Sequence, residues 1–258
     1  MFREISLTLL LGLALTGCAT VAEPLIARSD TAAQQGNVPR FAGKLAKPGG
    51  EGPFAGVVML HGCSGLNPHY DVWSERLRNW GYVALQVDSF AARGAKSCFD
   101  FPDLSHLLLE RSRDAYEAKS YLASLPFVDP ERIALIGWSH GGWVTLFALN
   151  MEEKKNDPFR AAAAFYPFCG EPLSHLSAPL LILAGELDEK CPARMCSFNM
   201  PTVKPVHEVI LVVYPDAYHC FDWEGMNLEY MGDRYQYNHE AATDAIVRLR
   251  RFLDKHLK

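Results

Sequence analysis

"ALIGWSHGGWVTLFAL", residues 134–149, places one serine among glycines at the end of an apolar run. A bare Gly-x-Ser-x-Gly arises by chance in about a tenth of chains this long, so its surroundings decide its meaning. "RIALIG" (132–137) is short, apolar and β-branched, which predicts a buried strand. A helix is expected to start just past Ser139 and to run to about Asn150. A sharp strand–turn–helix elbow is strained and crowded, so it needs small residues on both sides. Gly137, Gly141 and Gly142 supply them. Such a turn lifts the Ser139 hydroxyl to the carboxyl edge of a sheet, at a helix N-terminus that favours developing negative charge.

The same grammar extends along the chain. "GVVML" (56–60), "YVALQV" (82–87), "AAAAFY" (161–166), "PLLILAG" (179–185) and "HEVILVVY" (207–214) read as further strands, and "RFAGKLAKP" (40–48) as an edge strand. "DVWSERLRNWG" (71–81), "LSHLLLERSRDAYEAKSYLASL" (104–125) and "NHEAATDAIVRLRRFLDKHL" (238–257) carry helical spacing. Apolar strands alternating with amphipathic helices predict a mostly parallel sheet covered on both faces. No fixed-period repeat and no linker divides the chain after the first residues, so 38–258 reads as one α/β domain.

A serine hydroxyl needs a base to take its proton. In this architecture the partners follow in the order Ser, acid, His. Asp188 falls just beyond the strand "PLLILAG", and His219 just beyond "VILVVY". Three residues after three strands at one sheet edge form the candidate triad Ser139, Asp188 and His219. Glu186, Asp216 and Asp222 are rival acids. His61 is expected to brace its own loop, and the His140 side chain to lie along the new helix. His239 and His256 fall on the last helix. The oxyanion hole is expected from two backbone N–H groups, those of His140, after the nucleophile, and Cys63, in the turn "HGCSG".

These stretches, with "VVMLHGCSGLNPHYDVWSERLRNWGYVALQVDSFAARG", "GELDEKCPA", "AYHCFD" and "YNHEAATDAIVRLRRFL", resemble the dienelactone hydrolase family of α/β-hydrolases over most of residues 55–255. The resemblance implies an esterase or lactonase without cofactor, its triad and oxyanion hole where the residues above place them. It also implies that Arg93, in "DSFAARG", contacts a substrate carboxylate, although the spacing here is one residue longer than in the family, and an arginine tying down its own loop is the alternative. Trp138, beside Ser139, is a second candidate substrate contact. One departure stands out: dienelactone hydrolase itself has a cysteine nucleophile, whereas residue 139 is serine, which suits general ester hydrolysis.

The expected reaction is cleavage of a small ester, lactone or thioester through an acyl-enzyme. A peptidase or polyester depolymerase would use the same triad. A non-catalytic envelope binding protein is the alternative of another class, and it predicts a damaged triad. A net charge of −5 with no basic stripe argues against nucleic-acid binding.

"MFREISLTLLLGLALTGCAT" has Arg3, an apolar run too short to span a bilayer, and "LTGC" ending at Cys18. This resembles a bacterial lipoprotein signal over 1–17, with lipidation at Cys18 and a tether over 18–37; an ordinary signal peptide with a chance cysteine is the alternative. The expected location is the cell envelope, lipid-anchored to the outer membrane and facing the periplasm, since Ala19 rather than an aspartate follows the cysteine. Six cysteines remain, and an even number in an exported chain suggests disulfides. Six allow 15 pairings. Proximity of the acid and base loops suggests Cys191–Cys220, adjacent strand ends suggest Cys63–Cys98, and Cys169–Cys196 would remain. Free buried thiols are the alternative. A metal site is not expected, because the His and Cys residues are scattered.

Overall fold

The computed structural model describes residues 41–258 apart from residues 171, 174–175 and 202–204. The expected signal, tether and Cys18 lie outside the described residues. The main sheet is seven-stranded, in the order β1-β3-β2-β4-β5-β6-β7. Its strands are β1 (Ala42–Ala46), β2 (Phe54–Leu60), β3 (Val83–Asp88), β4 (Val128–Trp138), β5 (Ala161–Phe165), β6 (Leu180–Gly185) and β7 (Val209–Tyr214). All pair in parallel except β1, which runs antiparallel to β3. The helices are α1 (Pro68–Asn79), α2 (Leu104–Ser124), α3 (His140–Asn150), α4 (Ala193–Asn199) and α5 (His239–Leu257).

Each central strand is apolar on both faces because each face is covered. On β2, Val58 and Leu60 join one core with α2 and α3, through Leu108, Ala115, Leu122 and Val144. Val57 and Met59 point the other way, into a core with Trp73 and Leu77 of α1 and Ala245, Leu249 and Phe252 of α5. The helix starts are capped. Asn67 accepts from His69 N–H with Pro68 in the first turn, Asp103 accepts from Ser105 and His106, and Asn238 from Ala241.

Two elements were not anticipated, the short helix α4 and an antiparallel hairpin of β8 (Asn227–Tyr230) and β9 (Asp233–Gln236). The first helix also starts earlier than its apolar spacing suggests, at Pro68, and β4 starts at Val128.

Strand order reverses direction around β2 and β4, which are hydrogen-bonded neighbours. The crevice beyond their carboxyl ends is where open α/β sheets bind ligands. Ser139 follows β4 there, with φ 53° and ψ −117°. The elbow depends on two missing side chains. A Cβ on Gly137 would lie 2.0 Å from the Gly141 carbonyl oxygen, and one on Gly141 would lie 2.2 Å from that of Leu60. Both neighbours are backbone and cannot swing away. Gly137→Ala is therefore expected to cost at least about 3 kcal/mol in urea unfolding, or to abolish soluble folding. Gly49→Ala, where a Cβ meets nothing within 4 Å, should stay within about 0.5 kcal/mol of wild type.

Candidate active site

His219 stands between Ser139 and Asp188. Its Nδ1 is 2.7 Å from Asp188 Oδ2, and its Nε2 is 2.9 Å from Ser139 Oγ. A carboxylate only accepts, so Nδ1 carries the proton and donates. Nε2 is left as acceptor for the serine hydroxyl. Asp188 is itself positioned: its Oδ1 accepts from the Cys191 N–H at 2.8 Å. Both Asp188 and His219 are 2% exposed. The imidazole also packs on two rings, Tyr166 at 4.6 Å and Tyr235 at 5.3 Å between centroids.

The acid and base loops are joined through backbone. Leu187 N–H donates to the Ala217 carbonyl at 3.0 Å. A Cβ on Gly185 would sit 2.3 Å from that same oxygen, so the loops meet this closely only because residue 185 is glycine. This corrects the expectation of a Cys191–Cys220 bridge, because both thiols are free. Cys191 packs behind Asp188, while Cys220 adopts φ 60° and turns toward Tyr166 and Asp222. Burial, with the nearby Asp188 and Asp222 charges respectively, pushes both thiols well above their ordinary range. The other two expected bridges are present, Cys63–Cys98 and Cys169–Cys196.

The turn after β2 lies directly against the serine. A Cβ on Gly62 would be 3.3 Å from Ser139 Cβ. Gly62 N–H donates to the Tyr70 hydroxyl at 2.7 Å, and the next residue, Cys63, lines the same cavity as Ser139. His140 opens α3, so its N–H has no preceding helical turn to bond. Cys63 and His140 thus both flank Ser139 and remain the candidate oxyanion donors.

Behind both segments lies Arg111, a residue sequence reasoning missed. It is fully buried, donating to the His61 carbonyl at 2.6 Å and to His140 Nδ1 at 2.7 Å. Burial lowers its pKa to about 10. Burial and the Arg111 charge hold His61 well below the usual imidazole range and bring His140 down to about 3. Both rings are therefore neutral. His61 braces its own turn, with Nδ1 at 2.8 Å from the Gly62 carbonyl. The signal for Arg111 in the sequence was a charge on the inward face of α2, in line with Leu107, Leu108 and Ala115.

The two expected substrate contacts turn elsewhere. Arg93 forms a double hydrogen bond with Asp114, at 2.8 and 2.9 Å, and reaches Glu110 and the Ser89 carbonyl. It ties its loop to α2 and does not line the cavity. Trp138 is wholly buried, stacked on Phe165 at 5.3 Å, with Nε1 donating to Asp222 at 3.1 Å. Among the rival acids, Glu186 and Asp216 are exposed. Asp222 is a buried hub. It accepts from Trp73 Nε1 at 2.8 Å, Trp138 Nε1 and the Tyr166 hydroxyl at 2.8 Å, and pairs with His69 at 3.3 Å. Burial alone would raise its pKa, but His69 and these donors outweigh burial and lower it.

A serine on such an elbow, facing a histidine and a buried aspartate at the carboxyl edge of a mostly parallel sheet, defines an α/β-hydrolase. The family model "Dienelactone hydrolase family" matches residues 41–257, and the chain belongs to that family and is a hydrolase of it. A Synechocystis sp. protein named "Putative carboxymethylenebutenolidase" is 25% identical over 243 residues, covering 85% of this chain and 93% of its own. Dipeptidyl aminopeptidase B of Saccharomyces cerevisiae is 49% identical, but over 77 residues that cover 27% of this chain and 9% of its own. In fold, the chain is similar to a dienelactone hydrolase-like promiscuous phosphotriesterase from metagenomic libraries. There the TM-score is 0.70 at 19% identity, covering 84% of this chain and 93% of that one.

The Asp222 hub generates a prediction. Asp222→Asn removes the buried negative charge that faces His69 and the two indole N–H groups and replaces their charge-assisted bonds with neutral ones, which is expected to cost about 2–4 kcal/mol in urea unfolding at neutral pH. The folded-state pKa lies below the free value, so the carboxylate's stabilisation is fully present above about pH 4. It is lost as pH falls through the lower folded value. The gap between the variant and wild type should therefore narrow below about pH 4.

Proposed function

We propose that the chain hydrolyses a small carboxylic ester, lactone or thioester through an acyl-enzyme on Ser139. The observation that supports this best is the continuous path from Ser139 Oγ through His219 to Asp188, with contacts of 2.9 and 2.7 Å. In this reading Oγ bonds to the substrate carbonyl carbon as its proton passes to His219 Nε2. The N–H groups of Cys63 and His140 hold the oxyanion, and Arg111 keeps their two segments in register. Asp188 stabilises the imidazolium. Collapse breaks the bond to the leaving alcohol or thiol, which takes the proton from His219. Water then attacks the acyl carbon, giving its proton to His219, and the acid leaves as Ser139 regains its own.

Ser139→Ala and His219→Ala are each expected to lower kcat at least about a thousandfold on a hydrolysed ester, and Asp188→Asn somewhat less. Asp216→Asn, at an exposed carboxylate, is the control. A larger loss at 216 than at 188 would reverse the acid assignment. The local identity to a dipeptidyl aminopeptidase motivates a peptidase reading. A screen over short-chain esters, lactones and peptide amides separates them, since a higher kcat/KM on amides than on esters would favour the peptidase.

We also propose that Cys18 is lipidated and anchors the protein in the bacterial envelope. The two disulfides support an oxidising compartment, and several acyl chains give stable attachment where one gives marginal binding. Wild type is expected in the membrane fraction and Cys18→Ser in the soluble fraction; identical fractionation would remove the anchor.

A further inference from the structure

Ser139 opens into a cavity of about 380 Å³, at the small end of the roughly 300–1,000 Å³ of ligand clefts. Its walls are rings: Tyr70, Phe99, Tyr166, Trp223, Tyr230 and Tyr235. Met226 and Leu228 add apolar surface. Four of these rings, Tyr70, Tyr166, Trp223 and Tyr235, are held by hydrogen bonds or ring packing, while Phe99 and Tyr230 stand exposed at the mouth. The Tyr70 hydroxyl accepts the Gly62 N–H, and the Tyr166 hydroxyl donates to the buried Asp222. Trp223 is stacked on His69 at 5.1 Å and 18° between planes. The hairpin of β8 and β9 supplies Leu228, Tyr230 and Tyr235 from one side, while Phe99 follows the disulfide-bonded Cys98 on another. Fixed rings lose little conformational entropy on binding, and they favour a flat aromatic guest by edge and face contacts beyond simple area burial.

The charges around this cavity are already spent. Lys190 is the cation that lines it among the described residues, and its Nζ is 3.2 Å from Asp233 Oδ2. Arg93 is committed to Asp114 and Glu110. Two carboxylates with buried side chains, Asp188 and Asp222, contact the wall residues His219 and Tyr166. An anionic substrate would meet a lysine whose charge is already offset by Asp233 and would lose its own hydration near like charges.

We infer that the site selects uncharged esters bearing an aromatic ring close to the scissile bond, and rejects those with a carboxylate on the ring. This rests on the serine-hydrolase reading and narrows its substrate class. Three acetates with primary-alcohol leaving groups test it, namely benzyl, cyclohexylmethyl and 4-carboxybenzyl acetate, with hydrolysis followed by pH-stat. Benzyl acetate is expected to exceed cyclohexylmethyl acetate in kcat/KM by at least about fivefold, and 4-carboxybenzyl acetate by at least about tenfold. Asp233→Asn, which frees the Lys190 charge, should raise the ratio of carboxybenzyl to benzyl turnover at least about threefold. Equal or faster turnover of the cyclohexyl or carboxylated ester by wild type overturns the inference, and that result needs no variant. Labelling by a fluorophosphonate probe runs in parallel. Labelled Ser139 with the wrong substrate order sinks the substrate class alone. Neither labelling nor hydrolysis of any ester sinks the hydrolase reading and this inference with it.

Discussion

The site hangs on the absence of a Cβ at residues 137 and 141. Because Gly141 can lie against the Leu60 carbonyl, helix α3 begins directly on top of β2. Because Gly137 can lie under Gly141, β4 turns into that helix within one residue. Ser139 is the residue left at the turn, held at φ 53°. That conformation is costly for a non-glycine residue and persists only where the surroundings over-determine it. The same close approach brings the N-terminus of α3 beside the 61–63 turn, so the candidate nucleophile and both candidate oxyanion donors are positioned by one packing contact. A third glycine, Gly185, does the equivalent work for the acid and base loops.

Two buried charges of opposite sign support this arrangement from different sides. Arg111 grips the His61 carbonyl and the His140 ring, linking the ends of β2 and β4 beneath the serine. Asp222 gathers donors from α1, the end of β4 and the end of β5, through Trp73, Trp138 and Tyr166. Tyr166 in turn packs on His219. The His219 ring is thus steadied by a carboxylate it does not touch, while Asp188 meets its ring nitrogen directly. Neutral His61 and His140 add no imidazolium charge beside Ser139.

Features governed by local pattern were legible in the sequence. The alternation of apolar runs and helical spacing placed the main sheet and its helices, and the glycines around Ser139 marked the elbow. Chain order placed Asp188 and His219 after their strands. What escaped was either too short or too three-dimensional. Helix α4 spans Ala193–Asn199, and β8 and β9 are four residues each, β8 exposed and β9 half-buried, so no apolar period announces them. Asp222 is visible in the sequence as a rival acid, but its role depends on donors from three distant elements. Loop proximity suggested a Cys191–Cys220 bridge, but both thiols are free, and a backbone hydrogen bond with a glycine joins those loops instead. Arg93 and Trp138 sit where a substrate contact was expected, and their partners, Asp114 and Asp222, turn them away from the cavity.

The account's central claim is that the strained serine at the elbow takes the acyl group. Acid-quenched protein from a reaction with 4-nitrophenyl acetate, read by intact mass and then peptide mapping, tests it most directly. The account predicts a mass gain of one acetyl group on the peptide carrying Ser139, lost in Ser139→Ala and accumulating further in a variant slowed in deacylation. An acetyl group carried instead by Cys220, or no covalent species during sustained ester turnover, would contradict it.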